Sequence, residues 1–169
     1  MLELIKHPNS ILDEKLLDFD FDNPILDPYE LEKSMVLIMA NENGRGLSAN
    51  QVGIRARVFT MRTELLEGVI TPFALFNPVL LAADSELTQD YEGCLSFPNL
   101  FLPVKRAKHV VVQFLDRDKK EHIIELKDID ARCFLHELDH LNGICFTKGM
   151  SKLKLDLATK RQRKLNGRT

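Results

Sequence analysis

The chain has 169 residues, 44% of them hydrophobic, which is enough for a single globular domain (1–169) with a sizeable core. Its 23 basic and 25 acidic side chains nearly cancel, which excludes a global electrostatic pull towards DNA, other nucleic acid or a membrane surface. Three cysteines are too few, and odd in number, for a disulfide framework, and they point to a reducing compartment. "MLELIKHPNS" has neither signal-peptide nor transit-peptide character, and no apolar run reaches membrane length, so the expectation is a soluble, cytoplasmic protein.

In chain order, the first predicted element is a helix that Asp27 can cap. Pro28 suits its first position, and Glu30 completes an Asp-x-x-Glu capping box. Leu31, Met35 and Ile38 recur on one face, and Gly44 is expected to stop the helix. Strands are predicted over Ala56–Arg62, Thr71–Leu81, His109–Asp116 and Glu121–Lys127, the last two joined by "RDKK" as a hairpin turn. A second helix runs from Asp128 or Asp130 to Asn142, with Gly143 as its cap and Phe134, Leu138 and Leu141 on the buried side. A third, short and basic, covers about 151–165; from Lys152 to Arg168 seven Lys/Arg accompany one acid, Asp156. Together these elements make an α+β fold, antiparallel strands packed around a central helix that carries His136 and His140.

That second helix contains "LHELDHLNG". His136-Glu137-x-x-His140 puts two imidazoles one helical turn apart, a common start to a transition-metal site that still needs a third protein ligand. A third histidine six residues after His140 is ruled out, because that position is Phe146, and no glutamate follows Glu137. Cys133 shares the histidines' helical side but lies roughly 10 Å along the axis from His140. Cys145 follows the Gly143 turn, and Asp156 is the only acid in the tail. Cys94 lies in "YEGCLSFP", a polar, glycine-containing loop-to-strand segment. A free cysteine there is ordinarily just a small hydrophobe. The missing ligand favours Cys94, with Cys145 and Asp156 still open on the residues alone.

"GRGLSANQ" (Gly44–Gln51), "EGCLS" (Glu92–Ser96) and "HELDH" (His136–His140) resemble, in order and spacing, the three motifs of the peptide deformylases. Those read G-φ-G-φ-A-A-x-Q, E-G-C-L-S and H-E-x-D-H, with φ apolar. "IKHPNSIL" and "VKRAKHVVVQFLD" also resemble family segments, so the likeness covers most of the chain. It implies that Cys94, His136 and His140 bind one divalent metal ion, Fe(2+), with zinc, nickel or cobalt able to replace it. It implies Glu137 as the proton shuttle, with Gln51 and the backbone N–H of Leu95 as oxyanion donors. Removal of the formyl group from formyl-Met nascent peptides is the reaction it implies. Gly44, Arg45, Gly46, Glu92, Gly93, Arg106 and Cys133 then fall at substrate-contacting positions, and the peptide is expected to dock as an added strand. Glu92 and Asp139 are candidates for orienting the loop and a ligating imidazole. Arg45, Ser48 and Leu135 depart from the motifs, at positions expected not to touch a ligand, the base or an oxyanion donor. The basic tail is expected to contact the ribosome, as in some relatives.

Overall fold

The structure is a computed structural model that describes residues 2–66 and 69–166, with side chains described for 2–63 and 72–160. Helix α1 is Pro28–Asn41, β1 Gly46–Ser48, β2 Val58–Leu66, β3 Val69–Ala83, β4 Leu87–Cys94 and β5 Phe97–Ala107. They are followed by β6 His109–Leu115, β7 Glu121–Lys127, α2 Asp128–Leu141 and α3 Lys152–Asn166. An antiparallel sheet in the order β1-β2-β3-β6-β7 forms the body, and β4 and β5 pair separately as a two-stranded sheet. The fold is α+β, with α2 packed on the strands. Among the described residues, no helix is long and apolar enough to cross a membrane.

Alternation along the strands explains why both faces of the larger sheet are covered, since successive side chains point to opposite sides. Phe59 and Met61 of β2, Leu75 of β3, Val110, Val112 and Phe114 of β6 and Leu126 of β7 pack against Ala131, Phe134 and Leu141 of α2. The interleaved Val58, Ala74 and Phe76 pack against Leu31, Met35 and Met39 of α1. A third cluster joins Phe97 and Leu102 of β5 to Ile11, Leu12, Cys145 and Phe146, and α3 adds Leu155 and Ala158.

Asp27 caps α1 by accepting from the Tyr29 and Glu30 amides at 3.0 and 3.2 Å. Gly44 does not end that helix. It stops at Asn41, the left-handed residue is Asn43 (φ 54°), and the Gly44 amide closes onto the Met39 carbonyl at 2.8 Å. Asparagine tolerates that conformation because its short polar side chain can bond locally. The Thr71–Leu81 strand is longer than expected and irregular in register between Phe76 and Val79. Asn77 there turns its side chain onto both backbone groups of Phe19. At the end of α2, Gly143 (φ 68°) lies so close to the N-terminal segment that an added Cβ would stand 2.5 Å from the Asp13 carbonyl oxygen. The Leu16 amide reaches the Leu141 carbonyl nearby, at 2.9 Å. Side chains from Arg161 to Arg168, counted in the basic tail, lie outside the described residues.

Candidate metal centre and active site

Three elements converge on one point. The first is edge strand β1 with the 3-10 turn Ala49–Val52 that follows it; the second is the end of β4; the third is the middle of α2. In α2, His136 and His140 are one turn apart on the same face, their ring centroids separated by 5.1 Å. Cys94 arrives from β4, with its Sγ 3.2 Å from His140 Nε2. One donor atom from each of Cys94, His136 and His140 lies within 4.8 Å of the others. Among the described residues this is the one such group. Cys133 and Cys145 stay outside it as buried thiols. Burial pushes both up, Cys145 to about 12, so they behave as small apolar side chains. Asp156 is exposed on α3 and also stands apart.

The donor set fits a transition metal. One thiolate and two imidazoles suit zinc, iron, cobalt or nickel. Burial, with the neighbouring His136 and Arg106 charges, holds His140 well below the usual histidine range, so its ring is neutral and able to ligate. His136 behaves differently. Burial lowers its pKa, but the hydrogen bonds to Cys94 and Glu92 outweigh that and raise it to about 10. An ion binding there would compete with a proton for His136.

Glu92 orients that imidazole. Its Oε2 lies 3.0 Å from His136 Nδ1, which leaves Nε2 for a metal. The same carboxylate accepts from Arg106 Nε and Nη2 at 3.0 and 3.1 Å and from Arg132 Nη1 at 2.8 Å. Burial raises the Glu92 pKa, yet the hydrogen bonds from His136 and Arg106 prevail and bring it to about 2. Arg106 is thus placed behind the site, bonded to Glu92 and Asp139. Its expected place was among the substrate-contacting residues; its hydrogen bonds in the structure go to Glu92, Asp139 and the Leu135 carbonyl. Asp139 likewise pairs with Arg106 and orients no imidazole. Arg132, which the sequence reading passed over, is buried, lines the cavity and donates to the Val104 and Thr88 carbonyls as well as to Glu92.

The cavity, about 540 Å³, is lined by Gly44, Arg45, Gly46, Gln51, Glu92, Gly93, Cys94, Leu95, Cys133, His136 and Glu137, with Tyr91, Phe101, Ile129 and Arg132 completing its wall. Gln51 is held at both ends of its amide. Oε1 accepts from the Ser48 amide at 2.8 Å, and Nε2 donates to Ser96 Oγ at 3.0 Å and faces Cys94 Sγ at 3.4 Å. Burial pushes the Glu137 carboxyl up, opposed by the nearby His136 charge and by the Ser48 hydroxyl. That hydroxyl donates to Glu137 Oε2 at 2.8 Å, so Ser48, expected to touch no catalytic group, contacts the candidate base directly. Arg45 pairs with Asp130 at 2.7 Å, and Asp130 also accepts from the Thr63 hydroxyl. Asn50 steadies the other histidine turn through the His140 carbonyl at 2.9 Å. No sequence spacing marks Arg132, Asn50 or Ser96, since each matters through a contact 40 or more positions away.

The chain resembles known proteins over most of its length. A family model described as Polypeptide deformylase matches residues 1–156. The peptide deformylase of Thermodesulfovibrio yellowstonii is 36% identical over 132 residues, 78% of each chain. That of Wolbachia pipientis is 38% identical over 144 residues, 80% of each. The crystal structure of a peptide deformylase from Synechococcus elongatus in complex with actinonin superposes with a TM-score of 0.85 at 29% identity, covering 95% of this chain and 87% of that one. With the family model spanning Cys94, His136, His140, Gln51 and Glu137, the chain belongs to the polypeptide deformylase family of hydrolytic enzymes.

Proposed function

We propose that the protein is a metal-dependent hydrolase that removes the N-formyl group from the N-terminal formyl-methionine of newly made polypeptides, releasing formate. The observation that carries this reading is the Glu137 carboxylate on the wall of a 540 Å³ cavity, in the same helical turn as two of the three grouped metal donors. Cys94, His136 and His140 hold one divalent ion, Fe(2+), for which zinc, nickel or cobalt can stand in. When bound, the ion supplies Lewis acidity towards water and the formyl carbonyl.

The rest is the work of the chain. Glu137 takes the proton from the attacking water and returns it to the departing amine nitrogen, the raised pKa of a buried carboxyl suiting it to both steps. The Gln51 amide, fixed by Ser48 and Ser96, donates to the oxyanion together with the Leu95 backbone N–H. Strand β1 is the outer strand of its sheet, and Gly44–Gly46 border the cavity, so a peptide adds there as a further strand. Arg45, Glu92, Gly93 and Cys133 surround its first side chain. The exposed Lys152, Lys154 and Lys160 of α3 support a ribosomal contact through RNA phosphates. Cysteine usage supports a cytoplasmic location.

Formate release from formyl-Met-Ala, set against an unformylated control peptide, tests the reaction. Glu137→Gln should retain metal and lose at least ~10²-fold in turnover, the usual scale for a positioned acid–base group. Full turnover by the metal-loaded variant would overturn the proposal. Deleting residues 160–169 should weaken ribosome co-sedimentation at low salt; unchanged sedimentation refutes the ribosomal contact.

A further inference from the structure

We infer that Ser48 is a positioning residue for Glu137, fixing the orientation of its carboxylate plane towards the cavity; this rests on the role proposed for Glu137 above. Ser48 is fully buried, so its hydroxyl cannot turn to water and must find its partner within the protein. Two acceptors are in reach, Glu137 Oε2 at 2.8 Å and the Glu137 backbone carbonyl at 3.0 Å. The hydroxyl has one proton to give. The carbonyl lies inside α2, where a helical N–H four residues on supplies its bond, so the carboxylate oxygen, which has no such partner, is the stronger claimant. Among the described residues, no other hydrogen bond reaches that carboxylate.

Two residues earlier in β1 stands the bare Cα of Gly46, where an added Cβ would meet Glu137 Oε1 at less than contact distance. The carboxylate is therefore held between two residues of β1 spaced two apart, one bonding it and one making room for it. The terminal torsion of a glutamate is broad, so without a donor the carboxylate plane is free to turn. With Ser48 in place, Oε2 is committed and Oε1 remains for the reacting water. Alanine at this position would have no such donor.

The test is a double-mutant cycle over Ser48→Ala and Glu137→Gln, with metal content measured for all four proteins, plus a high-resolution structure of Ser48→Ala. Ser48→Ala should keep its metal and its KM for formyl-Met-Ala but lose about tenfold in kcat, the rate equivalent of one hydrogen bond to a charged group. In the Glu137→Gln background the same substitution should change kcat little, and the Ser48→Ala structure should show the carboxylate in more than one orientation. An unchanged kcat in Ser48→Ala, an equal loss in both backgrounds, or a carboxylate that keeps its single orientation overturns the inference. If the unmodified enzyme releases no formate, the proposed function fails instead, and the crystallographic arm still decides the role of Ser48.

Discussion

Gly46→Ala is the smallest change expected to disable the site. The backbone at Gly46 is ordinary strand, so alanine adds no conformational strain there and slightly restricts the unfolded chain. The difficulty is entirely steric. The new Cβ would stand 2.8 Å from both Cγ and Cδ of Glu137, whereas carbon atoms rest about 3.5–4.0 Å apart. Either β1 or the glutamate must yield by about 1 Å. Strand β1 is pinned by its pairing of Gly46 with Met61 and of Leu47 with Thr60, so the side chain moves. A misplacement on the order of 1 Å costs ~10²-fold in rate, and overpacking of this kind costs about 1–3 kcal/mol of stability. Steady-state formate release, metal analysis and thermal denaturation should show kcat down about 10²-fold, metal retained and melting lowered by only a few degrees. Wild-type kcat would refute the reasoning. So would a raised KM at unchanged kcat, because the glycine would then serve peptide docking and not Glu137.

Cys94→Ala should lose its metal, whereas Cys133→Ala and Cys145→Ala should keep it; equal loss on removing Cys145 would break the ligand assignment. Glu92→Gln strips the counter-charge from buried Arg106 and Arg132 and loosens His136. It should cost about 3–5 kcal/mol in urea denaturation and weaken metal binding about 10–100-fold by competition with a chelator. Glu92 also sets an acid limit. Its carboxyl is held at about 2, below the ordinary 4.5, so its contribution is complete above 4.5 and fades as pH falls from there towards 2. Denaturation of the metal-free protein across that window should lose on the order of 3 kcal/mol more than Glu92→Gln does, and parallel curves would contradict the assignment. Because an ion would compete with a proton for His136, metal affinity should rise with pH; titration calorimetry in buffers of differing ionisation heat would detect the released proton, and a pH-independent affinity would contradict the competition.

Much of the site was legible in the sequence because chemistry fixes its spacing. Two imidazoles on one helix can face one ion when they stand a turn apart, so "HELDH" announces both the helix and a candidate donor pair. Strands β6 and β7 were equally plain, since Val110, Val112 and Phe114 alternate inward. Strand β4 was not, because its side chains are mostly exposed until Glu92 and show no alternation to read. β1 has three residues, too short to carry a period. The contacts of Ser48, Arg106 and Asp139 escaped for a different reason. Each depends on which element the chain brings alongside: β1 against α2 for Ser48, and β4, β5 and α2 around Glu92 for the others. Local pattern says nothing of that placement.

The N-terminal segment gives these contacts a kinetic meaning. The Ile5 amide bonds the Gln51 carbonyl, the His7 amide bonds the Ser96 carbonyl, and the Ser96 hydroxyl returns to the Ile5 carbonyl. Farther on, the backbone at Asp13 lies against Gly143, just past the second histidine. The first residues of the chain thus strap the Gln51 turn, the Cys94–Ser96 turn and the end of α2 together, joining partners roughly 45, 90 and 130 positions apart. Contacts across loops of that size are rewarded only once the loops close, so the site is expected to form together with the global fold. Activity should appear and vanish in step with the global fold, and limited proteolysis within the first few residues should silence an otherwise intact catalytic centre.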